Sequence, residues 1–131
     1  MDLHEEKLFE AFAVSTKRQR FVELLATKRG RDKIRFALDH FDDLDPRFCK
    51  LVPASEQTAS GVLGILKGLG APALCHIMSS GNALDGHEMD LSEVLPQIVG
   101  GGMGTLVSCV PGKLAYFEGE EPKRRYICHR N

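Results

Sequence analysis

The side chains best suited to chemistry are four cysteines, at 49, 75, 109 and 128, and five histidines, at 4, 40, 76, 87 and 129. An imidazole beside a thiol draws it toward thiolate and makes it a nucleophile. Cys109 with His129, or Cys109 with His87, is the pairing that such a site would use. Cys75-His76 and Cys128-His129 are adjacent pairs, but neighbours on a strand point to opposite faces, so neither pair can chelate one ion. His87, Glu88 and Asp90 share a polar stretch but fall short of the four spaced ligands of a closed zinc site. No C-x-x-C pair occurs, and no metal or cofactor is expected. The thiols read more simply as buried cysteines acting as small hydrophobes.

Gly100-Gly-Gly102 and Gly104 raise the question of a phosphate loop. Such a loop needs a strand before it and a helix after it, so that helix N–H groups face the anion. Here the pattern gives helix first and strand second. The glycines therefore read as a hinge, with a backbone nest for an anion as the remaining alternative.

Positive charge gathers early. Lys17, Arg18, Arg20, Lys28, Arg29 and Arg31 are followed by Lys33 and Arg35, and then by Asp39, Asp42, Asp43 and Asp45. A cationic patch of this kind suits nucleic-acid phosphates. The bland alternative is two solvated helix faces whose charges offset each other. No aromatic residues are interleaved for base stacking, as single-strand binders use.

These groups are positioned by a chain of 131 residues with a net charge of −1 and a hydrophobic fraction of 43%. That size and composition suit one soluble domain with a real core. No run approaches a membrane span, and the acidic start, Met1-Asp-Leu-His-Glu-Glu6, is unlike a signal peptide. A cytoplasmic protein is expected.

The first half, 1–70, reads as helical. Apolar residues recur at helical spacing in 3–14, in 17–28, where Gly30 is expected to end the helix, and from Asp32 to a stop at Pro46. A fourth helix begins at Ser55, and its Gly61 and Gly64 imply close packing against another backbone. The second half, 71–131, reads as sheet-bearing. Residues 73–79 form an apolar strand buried on both faces. Asp85-Gly86 marks a tight turn that could close a tiny hairpin with Leu84 and Met89 near its arms. Asp90 caps a helix with Glu93 three residues on. Thr105 to Val110 is a strand, Pro111-Gly112 is type II turn chemistry, Lys113 to Glu118 is its partner, and Arg125 to His129 is the last strand.

The expected fold is α+β. N-terminal helices pack on a four-stranded mixed sheet that contains one βαβ crossover and a C-terminal antiparallel hairpin or meander. With parallel strands, one sheet edge would gather Ser79, Ser80, Asn82, Asp85, His87, Glu88, Cys109, Lys113 and His129. Ser79, Asn82, Asp85, Glu88 and Lys113 would line a ligand pocket there. The function expected is a small binding or regulatory module whose partner is a protein or a second copy of the chain. The alternatives are a nucleic-acid binder using the basic helices at 17–35, and a small enzyme with a cysteine or metal site at the sheet edge.

Overall fold

Asp2 opens the chain by accepting a hydrogen bond from the Glu5 N–H at 3.3 Å, and α1 (Leu3–Phe12) follows. A 3₁₀ turn (Ser15–Lys17) leads into α2 (Arg18–Leu25). Next comes α3 (Lys28–Ala37), extended by a second 3₁₀ turn (Leu38–His40). The computed structural model describes residues 1–131. Leu8, Phe9 and Phe12 of α1 meet Phe21 and Leu25 of α2 and Ile34 of α3 in one buried cluster. Each fully buried side chain of this size contributes about 2 kcal/mol.

Gly30 does not end a helix. It lies inside α3, where the Thr27 side chain accepts from the Gly30 N–H at 3.0 Å. A Cβ on Gly30 would lie 2.1 Å from the Leu24 carbonyl oxygen. The residue is glycine because the end of α2 crosses it, and the helix boundary is set by the threonine cap before it. The device recurs at α4 (Ala59–Gly68). Thr58 accepts from the Gly61 N–H at 3.0 Å, and a Cβ on Gly61 would meet the Glu56 carbonyl oxygen at 2.3 Å. Gly64 faces open space, so close packing explains Gly61 but not Gly64.

The sheet has six strands: β1 (Cys49–Leu51), β2 (Leu74–Ser79), β3 (Glu88–Asp90), β4 (Thr105–Val110), β5 (Leu114–Glu118) and β6 (Arg125–His129), in the order β1-β6-β5-β4-β2-β3. Every neighbouring pair is antiparallel. The fold is α+β, but the expected four-stranded mixed sheet with a parallel β2–β4 crossover is corrected. The short β3 reverses the chain before helix α5 (Leu91–Ile98) begins. The crossover therefore starts from β3, and β4 returns beside β2 running the opposite way.

Both faces of the sheet are covered. Met78, Leu106, Ala115, Phe117 and Cys128 face the core with α1–α3. Cys75, Ile77, Val107, Cys109, Tyr116 and Ile127 face a second core with Val62 and Leu66 of α4 and Val94, Leu95 and Ile98 of α5. Near-continuous apolar runs in the central strands follow from this sandwiching. No helix is long and apolar enough to cross a membrane.

Candidate functional site

The antiparallel order separates the residues expected at one edge. Thr105 pairs with Ser79 and Glu118 at one end of the sheet, while Leu114 pairs with Val110 and His129 at the other. Ser79, Ser80, Asn82 and Asp85 therefore gather at the first end, with Cys109, Lys113 and His129 at the far one. Glu88 is exposed in β3 opposite His76, and His87 is exposed in the turn before it.

The Ser79 end holds a cleft of about 360 Å³. One wall is the loop at 81–84 and the other is the C-terminal part of α5 with Gly101 and Met103; Ser79 and Thr105 also line it. A single stripe on the third helix and its 3₁₀ extension braces both walls: Arg31, Arg35 and Asp39, four residues apart, share one face. Arg31 grips Asp85 through Nη1 at 2.7 Å and Nη2 at 2.9 Å. Arg35 donates from Nε to the Ser79 carbonyl at 2.8 Å and from Nη2 to Asn82 Oδ1 at 2.8 Å. Asp39 Oδ1 accepts from Ser80 Oγ at 2.8 Å and from the Gly104 N–H at 2.7 Å.

The glycine loop is held from its other side. Glu118 is buried in the sheet, and its carboxylate accepts from the N–H groups of Gly100, at 3.1 Å, and Gly102, at 3.3 Å. Tyr116 Oη donates to it at 2.7 Å. The backbone nest exists, and its anion is the chain's own carboxylate.

Two amides in the cleft are each anchored at one end. Arginine only donates, so Asn82 must turn its oxygen to Arg35, and its Nδ2 has no partner within the chain. Gln97 Nε2 donates to the Glu93 carbonyl at 3.2 Å, and its Oε1 has no partner within the chain. The lining thus offers a donor, an acceptor and the apolar surface of Leu84, Ile98 and Met103.

Beside the cleft, Arg31 also pairs fork to fork with Glu5, Nε to Oε1 at 2.8 Å and Nη2 to Oε2 at 2.8 Å. His76 Nε2 lies 2.7 Å from Glu5 Oε2. Burial alone would raise the Glu5 carboxyl, but hydrogen bonds from Arg31 and His76 outweigh it and hold Glu5 down to about 2. Burial disfavours a charged His76, yet the bond to Glu5 and the nearby Asp2 charge raise it above its ordinary value. Asp2, Glu5 and His76 offer ligand atoms within 4.8 Å of one another. Both Glu5 oxygens are already engaged, so the group serves as a charge network tying α1 to α3 and β2. The sequence offers His76 only beside Cys75 and gives no sign of Asp2 or Glu5, since no local spacing links residue 5 to residues 31 and 76.

The nucleophile candidates fare differently. Cys109 is buried, and burial pushes its thiol up to about 12. Neither His129 nor His87 is hydrogen-bonded to it. His4 Nδ1 lies 2.7 Å from Ser108 Oγ, but that hydroxyl is buried under α1.

Of the six basic candidates, three are tied internally. Lys17 pairs with Asp43 at 2.9 Å, Arg18 with Asp45 at 3.0 Å, and Arg31 with Glu5 and Asp85. Arg20, Lys28 and Arg29 are exposed without an ion pair. Lys28, Arg29 and Lys33 line a shallow concavity on α3 with Asp32 and Phe36. Phe36 is 63% exposed, so an aromatic ring does accompany the basic residues. No protein-family model, curated protein or solved structure matches the chain.

Proposed function

We propose that this chain is a binding module that takes a short segment of a partner protein into the cleft at the Ser79 end of the sheet. The observation that carries the reading is the pair of half-anchored amides. Asn82 presents N–H donors and Gln97 an acceptor oxygen, the complement of a peptide group's carbonyl and N–H. Leu84, Ile98 and Met103 supply apolar surface for one side chain. Concave, mostly apolar sites with a few fixed polar groups are the usual form of ligand pockets. The test is a backbone-amide NMR titration with N-acetyl-leucine methylamide. Shifts confined to 79–84 and 97–105 support the reading. Shifts elsewhere, or none, oppose it.

A second reading is favoured by Phe36 on the outer face of α3. Lys28, Arg29 and Lys33 would meet phosphates while the ring stacks on a base. That reading requires affinity for single-stranded nucleic acid that falls steeply with salt and drops in Phe36→Ala. No binding at low salt would end it.

A further inference from the structure

The four cysteines, scattered in sequence, are neighbours across strands. Cys49 stands opposite Cys128 in the β1–β6 ladder. His129 N donates to Phe48 O at 3.0 Å and Val52 N to Arg125 O at 2.9 Å, so positions 48–129 and 52–125 are hydrogen-bonded pairs. Alternation along an antiparallel ladder makes 49–128 a non-hydrogen-bonded pair, whose Cα atoms lie about 4.5 Å apart with side chains on one face. That separation falls inside the range of roughly 4.4–6.8 Å that a disulfide spans.

Cys49 is buried and its Sγ donates to the Phe12 carbonyl at 3.9 Å, yet the residue borders open space. It lines a cleft of about 330 Å³ together with Asp42, Tyr126 and Arg124. Arg124 donates through Nη2 to the Phe41 carbonyl, while its Nε is buried without a partner. A guanidinium in the same cleft attracts an anionic reagent. Cys128 lies behind, its thiol pushed well up by burial first and by the neighbouring Cys49 thiol second. Cys75 and Cys109 occupy the opposite core, with thiols raised by burial to about 11 and about 12.

We propose that Cys49 and Cys128 form a dithiol site that a small carboxylate-bearing disulfide, such as oxidised glutathione, converts to a cross-strand disulfide. The Cys49 thiolate attacks one sulfur of the reagent, forming a mixed disulfide and releasing one thiolate. The Cys128 thiolate then attacks Cys49 Sγ, forming the protein disulfide and releasing the second. The two protein thiol protons end on the two released thiolates, and the two electrons end on the reagent. The product pins the short edge strand β1 to β6.

The test uses the full chain, reduced and then incubated under native conditions with oxidised glutathione. Intact mass and peptide mapping give the products. The expected product has lost two hydrogen atoms and links the peptides bearing Cys49 and Cys128, while Cys75 and Cys109 stay free. Dithiothreitol restores the starting mass. Cys128→Ser stops at one glutathione on Cys49, and Cys49→Ser leaves Cys128 unmodified. Persistent free thiols at 49 and 128, adducts that never link, or scrambled pairing among all four cysteines would overturn the proposal. The wild-type product decides it even if a variant fails to fold.

Discussion

Arg35 holds Asn82 by its carbonyl oxygen, Nη2 to Oδ1 at 2.8 Å, and so determines which end of the amide is left for a ligand. Asn82→Asp keeps an acceptor facing Arg35 but replaces the free donor with a second acceptor. Stability should change by less than about 1 kcal/mol, since Asn82 is exposed. Affinity for N-acetyl-leucine methylamide should fall roughly tenfold, because two acceptors would then face each other. Denaturant melts and NMR titration of the same variant check both halves.

The Arg31 fork joins three elements, so its loss should be felt in the fold. Arg31→Met leaves Glu5 and Asp85 without their main cation. Breaking a buried pair by removing one partner costs about 3–5 kcal/mol, and Arg31 retains some solvent contact, which places the expected loss toward the lower end. Urea unfolding measures it. A change below about 1 kcal/mol would mean the network is slack.

Gly61 and Gly64 of α4 give opposite signs. Alanine is favoured over glycine inside a helix by about 1 kcal/mol. Gly64→Ala meets nothing and should stabilise by about that amount. Gly61→Ala places a Cβ 2.3 Å from the Glu56 carbonyl oxygen and should destabilise in spite of propensity. Thermal melts of the two variants side by side read the difference.

Titration separates His4 and His76, whose rings stack with centroids 5.6 Å apart. His76 is raised, so its contribution to stability is fully present below the unfolded histidine value, near 6.5, and is lost as pH climbs through its higher folded value. His4 is lowered, by burial and then by the His76 charge. Glu5 is depressed to about 2, so its contribution is present above the ordinary carboxyl range and disappears as pH falls toward 2. NMR titration of the ring protons should therefore find His76 above 6.5 and His4 below it. The reverse order would contradict the Glu5–His76 pairing.

Much of the sheet was legible. The runs at 105–110 and 125–129 became β4 and β6 with those bounds, and Asp90 caps α5. What escaped was strand direction. The three-residue β3 is too short to leave a period, yet it decides whether β4 runs with or against β2. Once that sign changed, Ser79 and Asn82 parted from Cys109, Lys113 and His129. The bracing stripe was hidden for a related reason. Arg31, Arg35 and Asp39 belong to a charge-rich stretch that reads as solvated surface, and only the tertiary approach of the loops at 79–85 and 100–104 turns it inward. Thr27 and Thr58 cap α3 and α4, where Gly30 and Ser55 were the expected boundaries.

On the proposed reading, Gln97 and Asn82 together receive one peptide group. Its most direct test compares N-acetyl-leucine methylamide with N-acetyl-leucine methyl ester, on the wild type and on Gln97→Ala. The ester lacks the N–H that Gln97 Oε1 would accept. The ester should bind the wild type more weakly, by about 1 kcal/mol, and the difference should vanish in Gln97→Ala. Equal affinity of the two probes for the wild type, or the same loss in both proteins, would contradict it.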